Sequence, residues 1–205
     1  ADRLREMQNG DGSWPWFRGL SGSNYITAQI AVLLARAQTM TGAPYEGQMC
    51  HRAMSYLDGE LQKAVEQMKR DKVVANGLPE WIYNYLYAAH LLRHKATPSV
   101  QYVLKKFAQN NKDLTMYGKS AQAVVLSGTA YDKTARNALQ SVVEHTVTSP
   151  EMGRYFDTER ALGGWASYRI PTQTFAIEAL QRLSAQMPTI DGTPNAQLVD
   201  ELKLW

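Results

Sequence analysis

Apolar residues spaced three and four apart recur along almost the whole chain, and that periodicity constrains the fold more than any other feature. Ile26, Ile30, Leu33 and Ala37 fall on one helical face, and Ala53, Leu57, Leu61, Ala64 and Met68 on another. Trp81, Ile82, Tyr85, Leu86, Ala89 and Leu92 align in "LPEWIYNYLYAAHLLRH", followed by Val100, Val103, Leu104 and Phe107. Leu114, Tyr117, Ala121 and Val124 come next, then Ala135, Leu139, Val142, Val143 and Thr146. Ala176, Ala179, Leu180 and Leu183 make a seventh set, and Leu198, Leu202 and Trp205 an eighth. Eight helices are therefore expected. Start signals stand at Ser23 or Asn24, Pro79, Thr97 with Pro98, Asp132, Pro171 with Thr172, and Thr193 with Pro194. Stop signals stand at Gly42, Asn76 with Gly77, Asn110 with Asn111, Gly128 and Pro188.

The helices are of two kinds. "YITAQIAVLLARA", "WIYNYLYAAHLL" and "MYGKSAQAVVLSG" are apolar or small around much of their circumference. "MCHRAMSYLDGELQKAVEQMKRD", "VQYVLKKFAQNNK" and "DKTARNALQSVVEH" carry a charged stripe. A helix apolar all round is enclosed, and a one-sided helix faces water. The two kinds alternate and the connectors are short. This predicts an all-α fold of antiparallel helical hairpins in a layered ring, inner helices enclosed by outer ones. The long irregular stretch is Ser149 to Ile170. Its "RYFDT" has strand character, with no second strand evident to pair with it.

The chain has 205 residues, enough for one domain with a sizeable core. Its net charge of +3 is weak and the basic residues are dispersed, which does not indicate a nucleic-acid surface. No apolar stretch is long enough to span a membrane. The one cysteine, Cys50, excludes an internal disulfide and reads as a small buried hydrophobe on a helix. The opening on Ala1 and the ending within the apolar pattern of "ELKLW" suggest a chain excised from a larger protein.

A local device occurs twice. "MQNGDGSWPWFRGLSGSNYITAQIAVLLARA" and "TERALGGWASYRIPTQTFAIEALQRL" each carry glycine, a small residue and tryptophan, at Gly12-Ser13-Trp14 and Gly163-Gly164-Trp165. A second aromatic follows, Trp16 or Tyr168, and then an Ala- and Leu-rich helix. Glycine permits a left-handed turn there, and the indole then folds back over helix ends. Burying one tryptophan is worth about 2–3 kcal/mol, so a structural plug explains these stretches without a ligand.

These turns resemble those of the α/α toroid superfamily, which includes terpene cyclases, protein prenyltransferase β-subunits and the thioester-containing domain of alpha-2-macroglobulin and complement proteins. The chain is most similar to the bacterial, cell-envelope members of the macroglobulin branch. That branch carries a loop of the form Q-x-x-D-G-S-[FW] and a helix opening [WY]-[LI]-T-A. The matching residues are Gln8, Asp11, Gly12, Ser13, Trp14 and Phe17, then Tyr25, Ile26, Thr27 and Ala28. "YGKSAQAVVLSGTAYDKTARNALQSVVEH" and "PTQTFAIEAL" are similar to two later segments of that family, in the same order. The resemblance implies a single α/α-toroid domain over 1–205, an incomplete ring truncated at both ends. It implies a non-catalytic part of a protease-trapping protein, periplasmic or held at the cell envelope through its parent chain. Its partners would then be other domains of that chain and, through the intact protein, proteases.

The family's reactive group is a thioester in a C-x-E-Q motif. Cys50 is followed by His51, Arg52 and Ala53, so no such ring closes here, and the motif is expected upstream of Ala1. A toroid enzyme would show other chemistry. The Asp-rich segment of a protonating cyclase is absent, and the Cys–His neighbours lack the context of a zinc set. His90 and His94, four apart on one helical face, have metal-capable spacing but no accompanying Glu, and read as helix-end histidines. Asp157 and Glu159 in "DTER" offer paired carboxylates for a lyase or glycosidase, against the simpler reading of a charged loop. Trp81, Tyr83, Tyr85 and Tyr87 cover several faces of one helix; Trp81, Tyr83 and Tyr87 are the candidates to line a central cavity. No catalytic residue, metal or cofactor is assigned. A toroid enzyme and a protein-binding helical scaffold stand as the alternatives.

Overall fold

The computed structural model describes residues 2–42, 47–71, 78–109, 114–157 and 169–205. Among them are nine helices and four short strands. The helices are α1 (Asp2–Met7), α2 (Asn24–Thr41), α3 (Gly47–Arg70), α4 (Glu80–Leu92), α5 (Pro98–Gln109), α6 (Met116–Leu126), α7 (Asp132–Glu144), α8 (Arg169–Leu183) and α9 (Asn195–Lys203). The strands are β1 (Val147–Ser149), β2 (Gly153–Tyr155), β3 (Thr189–Ile190) and β4 (Thr193–Pro194). The predominance of helix agrees with the all-α expectation. The chain divides into two compact units, Ala1–Phe107 and Ala108–Trp205.

In the first unit α2 packs on α4 and on α3, and α3 on α4. Ser23 caps α2 by accepting the Ile26 amide, and Gly42 closes it in the left-handed region (φ 69°), its amide returning to the Gln38 carbonyl. Thr97 caps α5, whose first residue is Pro98, as that dipeptide predicts. In α4, Ile82 through Ala89 are all buried, as an enclosed helix requires. In α3, Ala53, Leu57 and Leu61 are buried on one side only.

The expected face of α2 is a correction. The helix buries Thr27, Ala28, Ala31, Val32, Leu34 and Ala35, while Leu33 is 61% exposed and Ile26, Ile30 and Ala37 are half-buried. The physical reason is the row of alanines: small side chains let the α2 and α4 backbones approach closely. Packing density then outweighs the bulk of the other face.

In the second unit α6 packs on α7 and α8, and α8 on α9. Thr115 caps α6 by accepting the Gly118 amide. Met116, Val142, Phe156 and Ala176 form one apolar cluster there, joining α6, α7, the end of the β-hairpin and α8. "RYFDT" does find a partner: β2 pairs antiparallel with β1, Val147 opposite Tyr155. The β-branched "TVTS" supplies the missing strand. A second hairpin, β3–β4, replaces the expected plain connector between Pro188 and Thr193. Asp191 (φ 47°) and Gly192 (φ 80°) both take the positive φ that a two-residue hairpin turn demands. Helix α8 starts at Arg169, before Pro171, and α9 ends at Lys203, which leaves Trp205 beyond it and 41% exposed.

Candidate functional site

The best-organised polar structure in the first unit is the loop from Gln8 to Trp14. Asp11 closes an Asx-type turn: one carboxylate oxygen accepts the Ser13 amide at 3.0 Å and the Ser13 hydroxyl at 2.6 Å. Those bonds hold the Asp11 carboxyl below its ordinary value, the Ser13 hydroxyl contributing most. Gly12 lies at φ 94°, and a Cβ there would collide with the Arg52 carbonyl oxygen on α3. Gln8 donates through Nε2 to the Gly12 carbonyl at 2.9 Å and the Met49 carbonyl at 3.0 Å. Arg52 donates to the carbonyls of Asn9 and Gly10.

Trp14 is 1% exposed. Its amide donates to Thr27 Oγ1 at 2.9 Å, its indole N–H to the Leu4 carbonyl at 2.8 Å, and its carbonyl accepts the Ser23 amide. Trp14 thus ties the loop to α1 through its indole and to the start of α2 through its main chain. Trp16 behaves differently from Trp14: it is 59% exposed and stacks on Tyr25 with ring centroids 5.8 Å apart. Phe17 is also exposed. Gly163 and Trp165 of the second turn lie outside the described residues.

A second cluster joins α3 to α4. Tyr85, fully buried, donates its phenol to one oxygen of Asp58 at 2.5 Å. His94 Nε2 lies 2.8 Å from the other. Burial and the Asp58 carboxylate push the Tyr85 phenol well above its ordinary range, so it stays protonated. The hydrogen bond to Asp58 raises the His94 imidazole above 6.5, against the opposing effect of burial. The shared helical face expected for His90 and His94 is therefore a correction. Helix α4 ends at Leu92, Arg93 turns into the left-handed region (φ 51°), and His94 swings toward α3. Asp58 carried one sequence signal: its neighbours three and four residues away, Met54, Ser55, Leu61 and Gln62, are all uncharged.

The aromatic set on α4 packs. Tyr83 stacks on Phe107 with centroids 4.9 Å apart, and its hydroxyl accepts the Leu78 amide. Tyr87 is buried with Arg36 of α2 over its ring at 5.5 Å. Trp81 is half-buried. Cys50 is buried, which pushes its thiol up and keeps it protonated at neutral pH. Asp157 is exposed, and Glu159 lies outside the described residues. Among the described residues, no three His, Cys, Asp or Glu side chains converge to hold a metal ion, and no helix is long and apolar enough to cross a membrane.

Comparison with models of known protein families, with curated proteins and with solved structures gives no match.

Proposed function

We propose that this chain is a non-catalytic helical domain of an alpha-2-macroglobulin-like protease-trapping protein of the bacterial cell envelope. The observation that carries the proposal is the Gln8–Trp14 loop. Six of the residues on which the family resemblance rests, Gln8, Asp11, Gly12, Ser13, Trp14 and Thr27, make the loop a structural hub. Gln8 bonds Gly12 and Met49, Asp11 bonds Ser13, Gly12 fits against Arg52, and Trp14 bonds Thr27. Side chains engaged in this way support a structural role for the motif. The toroid part of the proposal draws on a different feature. Alternate helices touch within each unit, α2 on α4 and α6 on α8, which is the contact an inner ring of helices requires. In such a trap the domain packs against others of its chain, and the intact protein collapses around a protease after bait cleavage.

The parent protein tests this directly. Incubated with an endoprotease, it should compact on a native gel after a single cleavage. The captured protease should then keep its activity on a small peptide and lose it on a large protein substrate. Cleavage with neither compaction nor that split would overturn the proposal. Turnover of a polysaccharide or an isoprenyl diphosphate by the chain itself, abolished by Asp157→Ala or Glu159→Ala, would replace it with a toroid enzyme.

A further inference from the structure

We propose that the turn following α4, Arg93 to Thr97, is a pH-operated latch on α3, closed while His94 carries its second proton and loosened when it loses it. Both carboxylate oxygens of Asp58 are engaged, one by the Tyr85 phenol at 2.5 Å and the other by His94 Nε2 at 2.8 Å. The two donors come from different places: Tyr85 from the middle of α4, His94 from just past its end. The carboxylate therefore ties down the point where α4 reverses direction. That reversal is held in a conformation that residues with a Cβ seldom adopt, since Arg93 sits at φ 51°. The amides of Arg93 and His94 both return to the Ala89 carbonyl, closing the helix end. A left-handed residue other than glycine persists where its surroundings over-determine it, and the bond from His94 to α3 is one of those constraints.

The charges around the latch make His94 the counter-ion of Asp58. The residues one helical turn to either side of Asp58 on α3 are uncharged. From α4, Tyr85 faces the carboxylate as a protonated phenol. The cation of α2, Arg36, lies over Tyr87. Helix α5 carries no charged side chain before Lys105, and its Tyr102 ring is approached by Lys69 and Lys106. Arg93 and Lys95 flank His94 on the turn itself. Deprotonating His94 thus removes the cation paired with Asp58 at 2.8 Å while the Tyr85 hydrogen bond stays in place. His94 titrates above 6.5, so the ion pair contributes in full below that pH and fades as pH rises through the higher folded-state value.

Two measurements on the 205-residue chain test the latch: the His94 imidazole titration by NMR, and hydrogen exchange of the Arg93 and His94 amides from pH 5.5 to 9, corrected for intrinsic rates. The wild type should lose protection at these amides by roughly two- to fivefold across the titration, with the same midpoint as the imidazole. His94→Gln keeps a donor but cannot titrate, and its protection should not vary with pH. Asp58→Asn should lower the His94 midpoint and flatten the profile, while Tyr85→Phe should keep the pH dependence. Constant protection in the wild type, or a pH dependence that survives in His94→Gln, would overturn the latch. If Asp58→Asn fails to fold, coincidence of the two wild-type midpoints still decides.

Discussion

Trp14 stabilises the first unit through a fully buried ring and an indole hydrogen bond to the Leu4 carbonyl, while its main chain bonds Thr27 and Ser23. Trp14→Ala should destabilise the chain by about 3–5 kcal/mol, as truncation of a core aromatic does, measured as a shift in the urea midpoint. Trp16→Ala, on an exposed ring, should stay within about 0.5 kcal/mol. Nothing in the Trp-Pro-Trp spacing distinguishes the two rings; the outcome depends on which one the Gly12 turn aims inward. Asp11 gives a pH test. Its carboxyl is held below 3.8 in the folded chain, so it contributes stability above that pH and loses it as pH falls through the depressed value. Asp11→Asn keeps an acceptor oxygen without a titrating proton. Its urea midpoint should therefore fall less than the wild type's between pH 6 and pH 3.

At the level of elements, the helices were legible where one side chain type marks one side, and obscure where it does not. Helices α3 and α7 bury most of the residues their periodicity selects, because charge marks the other side: Ala53, Leu57 and Leu61 in α3, with Ala64 and Met68 half-buried, and Ala135, Leu139, Val142 and Val143 in α7. Helix α2 has one charged residue, Arg36, so large apolar residues were a poor guide and alanines chose the face. Hairpin β3–β4 was legible in "DG" between "TI" and "TP", a turn signal obscured by the helix-start prolines beside it. In hairpin β1–β2 only "RYFDT" was legible and its partner strand was not, since the strands are three residues each and owe their place to α9. Arg154 spans Glu201 Oε2 at 2.8 Å and Thr146 Oγ1 at 2.8 Å, and Gln173 donates to the carbonyls of Arg154 and Leu202. Gly153, at φ 67°, sits where a Cβ would strike the Glu201 carbonyl. Gly153→Ala should cost about 1–3 kcal/mol and raise hydrogen exchange in β2 and the end of α9 ahead of α6. Unchanged exchange in both segments would mean that the hairpin is not anchored there.

For the whole molecule, the proposed role makes a chemical forecast. Covalent trapping needs an activated acyl group, and the residue three past Cys50 is Ala53 in place of a glutamine. Intact-mass measurement after incubation with methylamine or a protease should show no adduct; a gain localised to Cys50 or to any glutamine would sink the non-catalytic reading. The site residues were less legible than the fold. Asp58 and His94 are 36 residues apart and meet only because α4 ends at a left-handed arginine that no local pattern announces. The same buried Cys50 gives the chain a built-in clock. It is the one thiol in the sequence and it lies in the first unit, so a thiol-reactive reagent can modify it only when α3 opens. The rate of modification in native buffer, set against that in denaturant, reads the opening frequency of the first unit without a signal from the second.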